Sequence, residues 1–149
     1  MKKIINSVFP KTVDSDYKGS KITLYVFTIL AVVNMIRSSI HFLAPDGGAG
    51  SIAGLDLSKG AENIIFSFGL WGLSQFLFAL IQLLVAFRYK TLIPLMYLML
   101  IIEIVGRISI GIIKSPILLN GTPPGGVANY ILLPVISVMF VLSLKAKRR

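Results

Sequence analysis

The sequence predicts an all-α integral membrane protein, a four-transmembrane up-down helical bundle. Two features of its composition support this prediction. Apolar residues make up 55% of the 149 residues and charged residues only 14%, whereas a soluble domain carries about 25% charged residues. The mean hydropathy is +0.83. In addition, four stretches are apolar over the roughly 20 residues that a helix needs to cross the hydrocarbon core.

The four stretches divide the chain into a membrane domain and two basic ends. The predicted spans lie at about residues 22–44, 61–87, 91–113 and 127–144, between a basic tail at 1–21 and a basic C-terminus at 145–149. Because lipid offers no hydrogen-bond partners to the backbone, apolar runs of this length form helices. The connections between the spans are short, and this favours up-down order of the helices.

Lysine and arginine are distributed unevenly among the segments between the spans. The N-terminal tail, the turn after the second span and the C-terminus together carry eleven of them, and the other two loops carry only Lys59 and Lys114. The positive-inside rule places the basic segments in the cytoplasm. We therefore expect a multi-pass membrane protein, with both termini cytoplasmic and with loops 45–60 and 115–126 facing outward.

The N-terminal tail permits two interpretations. Residues 1–20 can form a short amphipathic segment on the membrane surface, or they can remain a disordered basic tail attracted to anionic lipid. We favour the disordered tail. A cleavable signal peptide is not expected, because the apolar residues near the start are few and Pro10 interrupts them.

Composition excludes several kinds of chemistry. The absence of cysteine removes thiolate metal sites, iron–sulfur clusters and cysteine nucleophiles. The net charge of +9 would suit a nucleic-acid backbone, but the basic residues lie mostly at the ends of apolar runs, as in membrane proteins. The single histidine, His41, excludes a bis-histidine haem from this chain alone. We expect no nucleic-acid partner, no metal site and no evident cofactor.

The second span carries small and polar residues on one helix face. Spacings of three, four and seven residues place them together: Glu62, Gly69, Gly72, Gln75, Ala79, Gln82 and Ala86. Small residues let helices approach closely in lipid, and glutamines hydrogen-bond between them. We expect this stripe to face the other helices as a packing surface. Alternatively, it lines a cavity through Gln75 and Gln82, with Asn34 and Asn129 as further candidates.

Five ionisable residues lie at related depths on different spans: Arg37, His41, Glu62, Glu103 and Arg107. With a rise of about 1.5 Å per residue, Arg37 and Arg107 lie roughly 22–24 Å from the cytoplasmic end, in the outer half of the membrane. A charge at the membrane centre costs about 2.5–3.5 kcal/mol. Glu103 and Arg107 can pair along one helix, because they are four residues apart. The guanidinium of Arg37 then needs another partner, which is Glu62, helix carbonyls, water or an anionic ligand.

Three interpretations of these five residues stay open. They can form a structural network in which Arg37–Glu62 and Glu103–Arg107 pairs fix the helix register. The arginines can instead bind a lipid, a quinone or a small anion, since a guanidinium suits carboxylate and phosphate groups, or they can bind a partner membrane subunit. Finally, Glu62, Glu103 or His41 can supply acid–base chemistry to a membrane-embedded isomerase or oxidoreductase subunit. We favour non-catalytic binding, and catalysis stays an alternative.

The first outward loop contains a Gly-Gly-Ala-Gly stretch after Pro45 and Asp46. It lacks the Gly-Lys-Ser/Thr ending of a phosphate-binding P-loop. We expect a turn-rich connection between two spans. The alternative is that its backbone N–H groups close a pocket or bind an anion.

Three segments carry a resemblance to a known family. The first span ends in His41-Phe42-Leu43-Ala44-Pro45, the second contains Gly69-Leu70-Trp71-Gly72, and Gly106-Arg107 in the third precedes a short Gly-Pro loop. Over roughly residues 36–144 the chain thus resembles the DoxX-like group of small bacterial four-helix membrane proteins. Many members have no assigned activity, and some are associated with quinone-linked oxidoreductases or membrane complexes. The resemblance implies an accessory or anchoring subunit in the bacterial inner membrane.

Overall fold

A computed structural model describes residues 2–145. Its helices are α1 (Lys2–Val8), α2 (Lys21–Leu43), α3 (Ala61–Phe87), α4 (Ile93–Ile113) and α5 (Pro124–Ser143), and a 3-10 turn at Lys90–Leu92 leads into α4. The helices α2 to α5 are long and apolar enough to cross a membrane. Between residues 2 and 145 the β-structure is limited to a single isolated bridge. The predicted all-α bundle with four spans is therefore confirmed.

The four spanning helices form two antiparallel hairpins. The most extensive packing joins α2 to α3 and α4 to α5, and the contacts between the hairpins are fewer. We call the end of the bundle where α2 begins and α5 ends the terminal end, and the opposite end the loop end. At the loop end, a bridge between Leu55 and Leu118 joins the two connecting loops. α5 begins three residues before its predicted start because Pro124 takes the first helical position, for which proline is preorganised.

The small and polar stripe predicted on α3 is buried in part, and Glu62, which was placed in it, is exposed. Gly72, Ala79, Gln82 and Ala86 of the small and polar stripe are buried. Large apolar residues on the other face are exposed in the isolated chain and suit contact with lipid: Phe66, Leu70, Leu77, Leu80 and Leu84. The stripe is therefore the face on which α3 packs against its neighbours.

Packing is dense toward the terminal end and thins toward the loop end. The buried apolar core gathers residues from all four spans: Phe27, Val85, Ala86, Ile93, Met96, Tyr97, Leu100, Ile104 and Ile136. In α4 no residue after Ile104 is buried, and in α5 none before Ile136 is buried. The loop-end halves of α4 and α5 are thus covered by little of the chain itself.

The N-terminal residues fold against the terminal end of the bundle, so the interpretation as a disordered tail is wrong. Val8 of α1 is buried. Residues 9–20, which we call the N-terminal strap, are fixed at two points. The N–H of Asp14 donates to Thr91 Oγ1 at 3.1 Å, and the Tyr17 hydroxyl lies 2.5 Å from Thr23 Oγ1. Partial burial of Tyr17 raises the pKa of its hydroxyl.

Candidate functional site

Two arginines from different helices converge on one amide oxygen. Arg37 of α2 donates from Nη2 to Gln75 Oε1 on α3 at 3.0 Å, and Arg107 of α4 donates to the same oxygen at 2.8 Å. Arg107 also forms an ion pair with Glu103 one turn earlier on α4, as their spacing predicts. We call these four residues with Trp71 the arginine cluster. It joins α2, α3 and α4, and therefore links the two hairpins.

Trp71 supports both guanidinium groups. The Cζ atoms of Arg37 and Arg107 each lie 5.5 Å from the centroid of the indole ring. A cation above an aromatic face gains about 0.5–2 kcal/mol, with the larger values where water is excluded. Trp71 and Gln75 are four residues apart and so share one helix face. Trp71 is a site residue that was not predicted from the sequence. The one feature of the sequence that could have indicated Trp71 is its position one helical turn before Gln75, on the inward face of α3.

The arginine cluster carries more positive than negative charge. Among residues 2–145, Glu103 is the one carboxylate that forms an ion pair with either arginine. Arg37 and Arg107 each lie six residues before the loop-end terminus of their helix, which places them about 9 Å inside it. The side chains of Arg107 and Glu103 remain 26% and 23% exposed. The cluster therefore offers cationic hydrogen-bond donors that a ligand can reach at this depth.

His41 is buried beside the cluster and connects it to the loop end. Its ring Nδ1 lies 2.7 Å from the Gly47 carbonyl oxygen, to which it donates, and its ring centroid lies 4.8 Å from that of Trp71. Gly72 allows this approach. A Cβ built there would lie 2.5 Å from the backbone carbon of His41. His41 thus positions Trp71 and the first residues of the loop.

Glu62 and Asn129 lie apart from the arginine cluster. Glu62 is exposed in the first turn of α3, thirteen residues before Gln75, or about 20 Å along the helix axis. The hypothesis of an Arg37–Glu62 pair is therefore wrong, because Arg37 donates to Gln75 instead. Asn129 is half-buried in α5, and no hydrogen bond within residues 2–145 joins its side chain to the cluster.

A second polar pair lies deeper in the bundle. Asn34 Nδ2 donates to Gln82 Oε1 at 3.0 Å. Gln82 is fully buried, and its Nε2 has no hydrogen-bond partner among the described residues. A buried donor without an acceptor costs about 1–3 kcal/mol. Gln82 is seven residues from Gln75, about 10 Å along α3, so the polar side of this helix extends inward from the cluster.

In the glycine-rich first loop, backbone N–H groups bind the carboxylate of Asp46, which belongs to the same loop. The Asp46 carboxylate accepts the N–H of Gly48 through Oδ1 and that of Ser51 through Oδ2, each at 2.8 Å. These hydrogen bonds lower the pKa of the Asp46 carboxyl to about 2, and the bond from Ser51 makes the largest contribution. Gly47 and Gly48 take positive φ values of 59° and 73°, which other residues rarely adopt. The loop amides thus surround Asp46, which argues against the alternative that they bind an external anion.

Two further observations concern metal binding and cavities. Between residues 2 and 145, no group of three or more histidine and acidic side chains could hold a metal ion. A cavity of about 310 Å³ lies at the terminal end, between the N-terminal strap and the helix ends, and is separate from the arginine cluster.

Comparison of the chain with family models, curated proteins and solved structures found no match.

Proposed function

We propose that this chain is a non-catalytic membrane protein that binds an anionic or carbonyl-bearing ligand, such as a lipid, a quinone or a small anion, at the arginine cluster. One observation carries the proposal: two guanidinium groups meet at a neutral amide oxygen with a single carboxylate beside them. Charge within the membrane is costly without a partner. A carboxylate or phosphate oxygen in the place of Gln75 Oε1 would neutralise the excess charge.

The packing of the bundle supports entry of the ligand from the side. The loop-end halves of α4 and α5 carry no buried residue within residues 105–135, and Arg107 and Glu103 are about one quarter exposed. A ligand with an apolar tail could lie against these helices while its polar head reaches the guanidinium groups. An amphiphile therefore fits the arginine cluster better than a fully water-soluble molecule does.

The positions of the acid–base candidates support binding over catalysis. Glu103 is paired with Arg107, His41 is hydrogen-bonded to the Gly47 carbonyl, and Glu62 lies at the exposed start of α3. These three groups do not converge on one reacting centre. A role as an accessory subunit of a bacterial inner-membrane complex agrees with this arrangement and with the DoxX-like resemblance. In that role, the ligand or the partner subunit would supply the anionic group.

Native mass spectrometry of the protein in mild detergent tests the proposal. We expect the wild type to carry an anionic lipid, a quinone or a small anion whose mass is identified, and we expect Arg37→Leu and Arg107→Leu each to lose it. Loss of one charge-assisted hydrogen bond to a ligand corresponds to about a tenfold loss of occupancy or more. Arg88→Leu is the matched control, because Arg88 is exposed at the terminal end.

The experiment separates loss of the ligand from loss of the fold. Circular dichroism of each variant reports whether the four helices persist. A wild type that carries none of these ligands and no partner subunit would overturn the proposal. So would folded Arg37→Leu and Arg107→Leu variants that keep the bound species at wild-type occupancy.

A further inference from the structure

A second possible binding site lies at the opposite end of the bundle from the loops. The cavity of about 310 Å³ is bounded on one side by the N-terminal strap and on the other by Thr91, Pro94 and Ser143. Thr91 and Pro94 lie at the start of the third span, and Ser143 ends α5. The cavity therefore lies where the spanning helices end, at the level of the membrane–water boundary. It shares no residue with the arginine cluster.

Hydrogen bonds fix the wall that the strap contributes. Asp14 and Thr91 exchange two hydrogen bonds, since the Thr91 N–H donates to the Asp14 carbonyl at 3.2 Å and the Thr91 side-chain Oγ1 accepts the Asp14 N–H. Further along, Tyr17 is joined to Thr23 in the first turn of α2, and Thr23 Oγ1 donates to the Ser20 carbonyl. The strap is thus attached to both hairpins, and these hydrogen bonds hold the wall that it contributes to the cavity in place.

The strap presents both signs of charge to the cavity. Lys11 and Lys18 line it together with Asp14 and Asp16. Lys18 Nζ lies 3.4 Å from Asp16 Oδ2, and both side chains are about 70% exposed (74% and 68%). An ion pair this exposed contributes little to stability, so both partners can exchange it for a ligand. A molecule with a cation and an anion close together matches this lining better than a simple anion.

Exposed apolar side chains on the same N-terminal segment favour a lipid as the ligand. Ile4 and Ile5 of α1 are exposed, as are Phe9 and Val13 of the strap. These residues lie on the segment that forms one wall of the cavity, at the boundary of the membrane. Apolar side chains at this level enter the head-group and acyl region. A head group in the cavity would therefore have its acyl chains beside an apolar surface.

We propose that this cavity binds the head group of a phospholipid that carries a phosphate and a primary ammonium. The lysines would contact the phosphate as point charges, and the carboxylates of Asp14 and Asp16 would accept hydrogen bonds from the ammonium. A quaternary ammonium offers no N–H donor, and an anionic head group without an amine meets two carboxylates with no cation to pair. Both are therefore bound more weakly. The proposal is independent of the ligand at the arginine cluster.

A competition between three lipids tests this inference. The purified Arg107→Leu protein, which is expected to have lost the anionic ligand of the arginine cluster, is incubated with equal amounts of phosphatidylethanolamine, phosphatidylcholine and phosphatidylglycerol of identical acyl chains, and the retained lipids are counted by native mass spectrometry. We expect phosphatidylethanolamine to exceed each of the others by about tenfold, the equivalent of one charge-assisted hydrogen bond. O-phosphoethanolamine, which has the same head group without acyl chains, should not displace it at equal concentration.

Matched variants assign the preference to the cavity. Lys11→Gln with Lys18→Gln should abolish the selective retention, and Asp16→Asn, which keeps the shape of the side chain, should reduce the discrimination between the ethanolamine and choline lipids. Lys59→Gln in the first connecting loop is the control for lost charge and should leave the preference unchanged. All of these variants also carry Arg107→Leu, so that an anionic lipid at the arginine cluster does not enter the count.

Three results would overturn the proposal. One is equal retention of the three lipids by the Arg107→Leu protein. Another is a preference that persists in the double lysine variant. The third is displacement by O-phosphoethanolamine at equal concentration, because the cavity would then recognise a soluble molecule and the lipid assignment would be wrong.

Discussion

Gly72 determines how closely α2 and α3 approach each other. A Cβ at this position would lie 2.5 Å from the backbone carbon of His41 and 2.6 Å from the backbone nitrogen of Phe42. Backbone atoms cannot rotate away, so Gly72→Ala must separate the two helices. We expect a loss of about 1–3 kcal/mol in the free energy of unfolding, the usual cost of overpacking. Chemical denaturation in detergent micelles measures it.

Gly69 provides the matched control on the same helix. Nothing lies within 4 Å of a Cβ built at Gly69, and alanine is a better helix former than glycine. Gly69→Ala should therefore leave the stability unchanged or raise it slightly. Equal destabilisation by the two substitutions would contradict the close approach at Gly72 and would point to a general intolerance of α3.

At the scale of single residues, sequence reasoning found pairs within one helix and misassigned one between helices. The Glu103–Arg107 pair follows from helical spacing alone. The acceptor for Arg37 depends on how far α3 is displaced along its axis, and no pattern within one helix records that displacement. Glu62 and Gln75 are thirteen residues apart on α3, which separates them by about 20 Å along the axis and about 140° around it, and only Gln75 lies at the level of Arg37.

A single buried hydroxyl fastens α4 to α2. Tyr97 is fully buried in α4, and its hydroxyl donates to the Thr23 carbonyl in the first turn of α2 at 2.6 Å. Its ring also meets Phe27 edge to face, with centroids 5.6 Å apart. Contacts between the hairpins are otherwise few. This bond therefore contributes to holding the two hairpins together at the terminal end.

The substitution Tyr97→Phe isolates this bond, because it keeps the ring and removes the hydroxyl. We expect a loss of about 0.5–1.5 kcal/mol, the net contribution of one hydrogen bond. Thermal unfolding in nanodiscs measures the change. Tyr130→Phe, at an exposed position of α5, is the control. A destabilisation of Tyr130→Phe that equals that of Tyr97→Phe would argue against the fastening role.

At the scale of elements, the spans were predictable and the N-terminal strap was not. Four long apolar runs form helices in lipid whatever their neighbours are. The strap gains its order from bonds such as that between Asp14 and Thr91, which are 77 positions apart. Its composition resembles that of a disordered basic tail, because a short segment held by distant contacts carries no periodic signal of its own.

The whole molecule has a strong charge asymmetry between its two ends. In the sequence, the segments at the terminal end hold eleven basic residues and two aspartates, whereas the loop-end segments hold two lysines against Asp46, Asp56 and Glu62. The positive-inside rule depends on lysine and arginine in short segments beside the spans. It predicts that the terminal end lies in the cytoplasm. In that orientation the arginine cluster lies in the outer half of the membrane and the strap cavity faces the cytoplasmic leaflet.

The absence of native cysteine makes this orientation directly testable. Ser58 in the first loop and Ser15 in the strap are both exposed, so Ser58→Cys and Ser15→Cys each introduce one reactive thiol at opposite ends. We expect a membrane-impermeant maleimide to label Ser58→Cys on intact bacterial cells and to label Ser15→Cys only after permeabilisation. Labelling of both variants after permeabilisation is the control for thiol reactivity. The reverse pattern would place the basic end outside. The strap cavity would then face the outer leaflet, and ligands would have to reach the arginine cluster from the cytoplasmic half.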